Sequence, residues 1–251
     1  AVQLLSTICE ERLGDRSIAL TLLGGLGDVD SAEPSFVLWD LGRMVANSDE
    51  LMSIFDAGLS DLEVRLRQSD VAQEFIEHFD NFLDVFGSRG PNEWETACET
   101  WGTNSLSVLT LIDRMRLTDA QNSPKVRALE LSKKREEATF NARKELKGFG
   151  SWLFEKALHS SVLFSQARER SKTTIVDLIH VARLITRELA NRTAEQRKNA
   201  ELIDLWFILE SELDEFIDNP PSFDEKIRER KRVRGELSNR IPPFIFEGKI
   251  P

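Results

Sequence analysis

The sequence predicts an all-α protein, a multi-helix bundle with long antiparallel helices and at most one or two very short strands. Apolar residues recur every three or four positions along most of the chain, which is the period of an amphipathic helix. Only two short apolar runs suggest strands. Of the 251 residues, 41% are hydrophobic and 30% are charged, as expected of helices with one buried and one solvated face.

The clearest helix is predicted over about residues 70–86. Asp70 is suited to cap its start, and Gly87 to end it in a left-handed conformation. Shorter amphipathic segments precede it, one of them opening at Pro34, and together they predict an N-terminal helical bundle over residues 1–120. Four phenylalanines share one face of the helix: Phe75, Phe79, Phe82 and Phe86.

The long helices are predicted in the region 121–240, as a hairpin followed by a strand–helix element. Ser123 and Pro124 are typical of the first positions of a helix, which should continue to about Lys147. The next helical stretch, residues 152–192, is so long that we expect a turn to divide it into antiparallel arms.

Three local patterns complete this outline. Phe149 lies between two glycines, which predicts a kink or break before the stretch that starts at Trp152. The apolar run 205–209 suggests the short strand. The proline-rich segment 241–251 is predicted to be an extended linker to a further domain, and the start at Ala1 also leads us to expect that the chain is part of a longer polypeptide.

The charge distribution is uneven and argues against nucleic-acid binding. The whole chain has a net charge of −10, and the acidic excess lies in residues 1–120, which contain 22 acidic and only 8 basic side chains. Nucleic-acid binding requires a predominantly basic surface. The basic cluster between Lys226 and Arg234 can be a phosphate-binding patch or a solvated helix face, and we favour the helix face. Because no apolar run reaches about 20 residues and only two cysteines occur, we expect a cytoplasmic protein that does not bind a membrane.

The sequence contains no motif for catalysis or metal binding that we can assign. A phosphate-binding loop is absent, and no strand precedes a glycine-rich dinucleotide motif. The three histidines, His78, His159 and His180, do not form the repeated Glu-x-x-His pattern of a di-iron bundle. We therefore predict no catalytic residue, no metal ligand and no cofactor for this chain.

One segment combines unusual side chains, namely the turn that follows the phenylalanine helix. Two glycines permit a tight turn that fixes the direction of Arg89, with Glu93 and Trp94 close behind it in sequence. A guanidinium beside carboxylates provides paired, directional donors and acceptors. Arg89 can tie the turn to a helix through Glu93 as a structural support, or the turn can line a ligand cleft or a docking face.

Several segments resemble the helical middle region of the phosphoenolpyruvate-utilising, dikinase-like phosphotransferases. Residues 86–90, Phe-Gly-Ser-Arg-Gly, with Glu93, are similar to the Tyr-Gly-His-Arg-Gly motif and following acid of the rifampicin phosphotransferase branch. Residues 167–172 with Arg183 are similar to its arginine-rich helical pair. Residues 204–213 resemble a strand-then-helix element, and residues 242–248 a linker before the phosphohistidine domain.

The resemblance implies a substrate-binding or linking helical domain that is not catalytic alone. Its partners would be an ATP-grasp domain and a swivelling phosphohistidine domain of the same polypeptide, with ATP and Mg²⁺ used by the parent enzyme, and a small organic acceptor. Ser88 and Phe86 stand where the branch usually has His and Tyr, so acceptor identity is not carried over. The candidate substrate-binding residues are Arg89 and Glu93 of the motif, together with the aromatic side chains that could line a cleft, Trp94, Phe79, Phe82 and Phe86.

Other functions are compatible with the same sequence. The chain can be a helical scaffold or protein-interaction module without a role in phosphotransfer, or a small-molecule sensor that has lost its kinase. A pyruvate acceptor is disfavoured, because that chemistry belongs to a barrel domain and no alternating strand–helix pattern occurs. The phenylalanine stripe can likewise be core rather than cleft lining.

Overall fold

The computed structural model describes residues 1–26, 32–198 and 200–240. Across these residues the protein is helical and contains no strand, which confirms the predicted all-α class. The chain divides into two compact units. The first comprises Ala1–Trp94 and Cys98–Ile179, and the second comprises Glu95–Ala97 and His180–Pro251. The predicted linker 241–251 lies outside the described residues.

The first unit is a bundle of short helices followed by two long ones. Two 3₁₀ helices, Asp70–Ala72 and Ala120–Asn122, lie between its α-helices. In chain order the α-helices are α1 (Val2–Leu13), α2 (Ile18–Leu22), α3 (Glu33–Ala46), α4 (Asp49–Asp56), α5 (Leu62–Arg67), α6 (Gln73–Phe86), α7 (Ser105–Arg116), α8 (Pro124–Glu145) and the first part of α9 (Gly148–Ala194).

The main core of this unit lies among α3, α4, α5, α6 and α7. Phe75, Phe79 and Phe82 of α6 are fully buried in it, as the spacing of the stripe predicts for one face of a helix. The ring of Phe75 stacks on that of Phe79 at a centroid distance of 6.0 Å and meets the edge of Phe55 at 5.8 Å. The start of α6 differs from the prediction, since a 3₁₀ turn precedes it and Asp70 makes no capping bond.

A second apolar cluster joins α1 and α2 to α8 and to the start of α9. Phe154 of α9 and Leu5 of α1 are both fully buried in it. Cys9 lies in the same cluster, where burial raises the pKa of its thiol and the nearby charge of Asp15 raises it further. The Cys9 side chain therefore acts as a small apolar group, because a neutral, buried thiol is a poor nucleophile.

The long helices differ from the sequence-based expectation in two places. Helix α8 starts at the predicted Pro124, but Leu146 is extended and Gly148 has a left-handed φ of 59°, so the break comes before Phe149. Helix α9 then continues without the predicted turn from Gly148 to Ala194. The residues from 151 to 194 include no glycine or proline, so every residue there can keep its helical hydrogen bonds.

The second unit contains the end of α9 and a set of shorter helices. Phe216 and Phe223 form the centre of its core, with the two rings edge to face at 5.5 Å. Its remaining helices are the 3₁₀ helices Leu202–Phe207, Glu210–Glu212 and Pro220–Phe223, and the α-helices α10 (Leu213–Asp218) and α11 (Asp224–Ser238).

Residues Glu95–Ala97 are held in this second unit by two long side chains. The fully buried Arg183 donates from Nη2 to the carbonyl oxygen of Glu95 at 3.0 Å. Trp206 donates from Nε1 to the Thr96 hydroxyl oxygen at 2.9 Å. Arg183, which belongs to the family-like arginine-rich pair, therefore has a structural role in this unit.

The predicted strand at 205–209 is not formed, because Leu202–Phe207 is a 3₁₀ helix. Asp204 stabilises its first turn by accepting a hydrogen bond from the Glu201 backbone N–H at 3.1 Å. Arg230 donates to the carbonyl oxygen of Phe207 at 2.6 Å, and so occupies an acceptor that a neighbouring strand would need. The described residues offer no partner strand.

The basic cluster of α11 is largely paired with acidic side chains, which favours the helix-face interpretation. The ion pairs join Lys226 and Arg230 to Glu212, Lys231 to Glu201 and Asp204, and Arg232 to Glu229 and Glu236.

Among the described residues, no helix combines the length and the apolarity needed to cross a membrane.

Glu212 is expected to make the second unit sensitive to acid. The side chain of Arg230 donates to both carboxylate oxygens of Glu212, at 2.6 and 2.9 Å, and holds its pKa well below the usual range. The Leu209 backbone N–H and Lys226 lower this pKa further. Because the folded pKa lies below the unfolded one, the stabilisation is complete above about pH 4.3 and is lost as the pH falls below that value.

We therefore expect the melting temperature of the second unit to fall between about pH 4.3 and pH 2 more steeply in the unmodified protein than in Glu212→Gln. Amide NMR signals of α11 would report this melting temperature at each pH. Glu236→Gln removes an exposed carboxylate from α11 and is the matched control, which should follow the unmodified protein. Equal slopes for the protein and Glu212→Gln would contradict the expectation.

Candidate functional site

The turn after α6 is fixed by a second backbone segment that runs beside it. Gly102 donates its N–H to the carbonyl oxygen of Gly87 at 2.8 Å, and Trp101 donates to that of Arg89 at the same distance. These long-range bonds pair residues 87–89 with residues 101–102. Backbone hydrogen bonds therefore contribute directly to the position of the turn.

The two glycines of the turn are needed for this close approach. Gly87 is right-handed, with φ −61°, so the predicted left-handed stop is wrong. A Cβ at Gly87 would collide with the carbonyl oxygen of Leu83 and would lie 3.1 Å from the Gly102 Cα, which explains the absence of a side chain there. A Cβ at Gly90 would lie 3.1 Å from the Thr100 Cα. Both positions favour glycine because a neighbouring backbone leaves no room for a methyl group.

Arg89 lies in the wall formed by this turn. The side chain of Arg89 is 10% exposed, and its Nε lies 3.6 Å from Glu93 Oε2. Arg89 Nη1 is buried and has no hydrogen-bond partner among the residues that the structure describes. Arg89 thus combines a loose ion pair with a donor whose hydrogen-bonding capacity is unused.

Glu93 connects the turn to α9. Glu93 Oε1 lies 2.9 Å from Nζ of Lys172, and Glu93 Oε2 accepts a hydrogen bond from the Gly90 backbone N–H at 3.4 Å. The carboxylate is 11% exposed and the Lys172 side chain 31% exposed. Glu93 therefore links two cations, one from the turn and one from the long helix, in a partly shielded environment.

A cleft of about 670 Å³ opens in the first unit beside these charges. This volume falls within the range of small-molecule sites, which are mostly apolar with a few directed polar groups. Trp94 is half exposed at the cleft. The lining residues are Pro34, Ser35, Leu38, Arg89, Gly90, Pro91, Asn92, Glu93, Trp94, Trp101, Leu111 and Lys172.

The structure brings together three of the six predicted substrate-binding residues. Arg89, Glu93 and Trp94 line the cleft. Phe79 and Phe82 do not, because they are fully buried in the core and have no surface to offer a ligand. Phe86 packs against the same core and is also absent from the lining.

The phenylalanines support the cleft from behind. The Phe82 ring lies 5.3 Å from the ring of Trp101 and 5.2 Å from that of Phe86. Trp101 in turn lines the cleft. The phenylalanine stripe is thus part of the core behind the cleft wall, where Phe82 packs against the indole ring of Trp101.

The family model of the rifampicin phosphotransferase fourth domain matches residues 1–169. The chain belongs to this family. The fourth-domain match includes Arg89, Glu93, Trp94 and Trp101, and it ends just before Lys172. It confirms the resemblance to the helical region of phosphoenolpyruvate-utilising phosphotransferases. No curated protein matches the chain.

Sequence reasoning missed some residues of this fourth-domain cleft. Lys172 was visible only as part of the family-like segment 167–172, and nothing in its spacing indicated contact with Glu93. Leu38 and Leu111 look like ordinary helical core positions. Only the packing of α3, α7 and α9 shows that they meet the turn.

The cleft provides binding groups rather than reactive ones. Its charged lining consists of Arg89, Glu93 and Lys172, and its walls are mainly apolar. Among the described residues, no three histidine, cysteine, aspartate or glutamate side chains form a metal-binding group. What this arrangement can do chemically is orient a molecule through directed donors and apolar contacts.

Proposed function

We propose that the first unit holds a small organic acceptor in the cleft while a phosphohistidine domain of the same polypeptide delivers a phosphoryl group. The observation that carries this proposal is the cleft itself, which combines tryptophan walls with a buried arginine in a chain of the fourth-domain family. An ATP-grasp domain of that polypeptide would use ATP and Mg²⁺ to charge the histidine. The chain alone is expected to be inactive.

The proposed transfer requires positioning more than chemistry from this unit. The N–P bond of the phosphohistidine breaks as an O–P bond forms to the acceptor hydroxyl, and the hydroxyl proton passes to the released imidazole. Such reactions depend on in-line placement and on exclusion of water. The apolar walls and Arg89 support these two tasks.

A first requirement is that the encoded polypeptide contains the carrier. We expect the residues encoded after Pro251 to include a Thr-Ser-His carrier motif. Purified full-length protein should then convert ATP to AMP in the presence of Mg²⁺ and an acceptor from a panel of hydroxylated polycyclic compounds. The panel includes rifampicin, because the family model bears the name of a rifampicin phosphotransferase.

Replacement of a cleft tryptophan should weaken acceptor binding. For the best acceptor, Trp94→Ala should raise KM roughly tenfold and leave kcat nearly unchanged, because the lost apolar contact is uniform between ground and transition states. AMP formation at varied acceptor concentration gives both constants. Trp152→Ala is the matched control, since Trp152 is 55% exposed against 51% for Trp94 and does not line the cleft.

Two results would contradict the proposed function. One is the absence of AMP formation with every acceptor of the panel. The other is an equal effect of Trp94→Ala and Trp152→Ala on KM, which would place acceptor binding elsewhere.

A protein-interaction role is the second candidate, and the exposed aromatic side chains of the long helices favour it. Phe149 and Trp152 stack on each other at 5.5 Å, although both are more than half exposed. Phe140 and Phe164 are 67% and 65% exposed. Exposed aromatic residues of this kind are typical of surfaces that contact another protein or domain.

A further inference from the structure

The unused donor of Arg89 is the feature that describes the ligand most closely. Arg89 is 8% exposed, lines the cleft, and has no described hydrogen-bond partner at Nη1. A buried donor without an acceptor is energetically unfavourable, and more so when the group is charged. A molecule that places an acceptor oxygen against Nη1 would remove this cost.

A purely structural role for Arg89 does not account for this arrangement. An arginine with a purely structural role typically makes two short, parallel hydrogen bonds from its guanidinium group to a carboxylate. Here Glu93 lies 3.6 Å from Arg89 Nε, whereas it lies 2.9 Å from Lys172 Nζ. Glu93 therefore acts as a positioning residue for both cations, and the buried Nη1 of Arg89 is left without an acceptor.

The charges of the lining indicate the sign of the preferred ligand. Among the lining residues, Arg89 and Lys172 are positive and Glu93 is negative, which gives a formal charge of +1. The Arg89 and Glu93 side chains are about nine-tenths buried, so solvent screens this charge poorly. A single negative charge on the ligand would compensate it.

The apolar walls of the cleft indicate which kind of molecule would carry the negative charge. Trp94 and Trp101 offer aromatic surface, and Leu38 and Leu111 offer aliphatic surface. Flat apolar rings suit such walls, because aromatic rings stack on one another and gain from leaving water. The cleft volume is large enough for a ligand with several fused rings.

We infer that the cleft recognises an aromatic or polycyclic monoanion, whose carboxylate, phenolate or enolate oxygen accepts a hydrogen bond from Arg89 Nη1. Arg89 is then the residue that distinguishes the anion from neutral molecules of the same shape. This inference deepens the proposed function and rests on it only for the identification of the cleft as the acceptor site.

The test compares two probes of equal shape, 2-naphthoate and the neutral 2-naphthamide. Isothermal titration calorimetry of the 251-residue chain at neutral pH should give a Kd about tenfold lower for 2-naphthoate, since a charged hydrogen bond is stronger than a neutral one. In Arg89→Gln the Kd of 2-naphthoate should rise to that of 2-naphthamide. The Kd of 2-naphthamide should change much less than that of 2-naphthoate, which shows that the cleft is still folded.

Arg67→Gln is the matched control for charge. Arg67 is an exposed arginine in ion pairs with Glu63 and Asp80, and it does not line the cleft. The variant should keep the tenfold preference for 2-naphthoate. Arg89→Lys keeps the charge but loses the planar fork, and should retain only part of the preference.

Three results would overturn the inference: no binding of either probe, equal affinity for the two probes, or an equal loss of affinity for both in Arg89→Gln. Failure of the proposed function has a different signature, because it appears as absent AMP formation in the full-length protein. A preference for 2-naphthoate without AMP formation would keep the anion site and remove the phosphotransfer role.

Discussion

Phe79→Ala is expected to destabilise the first unit by about 3–5 kcal/mol. Phe79 is fully buried, and its ring stacks on Phe75 in the core among the short helices. Removal of the ring loses its transfer free energy and leaves a cavity, because surrounding helices relax only in part. A domain of ordinary stability has about 5–15 kcal/mol in total, so the loss should be evident at room temperature.

Urea unfolding followed by circular dichroism would measure the free energy of unfolding. Phe149→Ala is the matched control, because Phe149 is 74% exposed and its removal should cost less than about 0.5 kcal/mol. Similar losses for the two variants would show that Phe79 is not a core residue. The comparison also separates core from ligand contact, the alternative that the phenylalanine spacing left open.

Asp204→Ala is expected to destabilise the second unit by about 3 kcal/mol or more. Asp204 is buried, and its Oδ2 lies 3.1 Å from the guanidinium of Arg197, whose side chain is 5% exposed. Lys231 pairs with the same carboxylate. Removal of the carboxylate leaves Arg197 with Asp224 at 2.6 Å and without its more deeply buried partner. Leaving a buried charge without one of its partners costs more free energy than the intact ion pair contributes to stability.

The loss should appear as a lower urea midpoint for the α11 amide signals. Asp204→Asn keeps an acceptor for the Glu201 N–H and should lose less. Glu229→Ala removes an exposed partner of Arg232 and should change the free energy of unfolding by less than about 1 kcal/mol. An Asp204→Ala protein as stable as Glu229→Ala would show that the buried network contributes little.

The sequence was most informative where local rules decide the structure. The phenylalanine spacing predicts a buried face, and Ser123 with Pro124 predicts the start of α8, where the Ser123 side chain accepts from the Lys125 N–H at 3.2 Å. Two glycines around residues 88 and 89 predict a tight turn. These outcomes depend on neighbouring residues and on backbone sterics, which a sequence displays directly.

The sequence was less informative where distant residues decide. A helical period cannot distinguish a core stripe from a cleft wall, so the sequence left both possibilities open for Phe79 and Phe82, which the structure buries in the core. The apolar run 205–209 forms a 3₁₀ helix and not a strand, because Arg230 and Asp204 bind its backbone. Lys172 of α9 pairs with Glu93 of the turn, and no local sequence pattern predicts a contact between residues so far apart in the chain.

The glycine crossing at Gly87 and Gly102 has a consequence for engineering. Backbone bonds hold this crossing, and among the neighbouring cleft residues Asn92 has a left-handed φ of 56°, which few side chains adopt without strain. Pro91 and Trp94 are therefore the better positions for a library that alters the shape of the cleft while retaining Arg89. Changes at these two positions could make the same cleft bind new molecules.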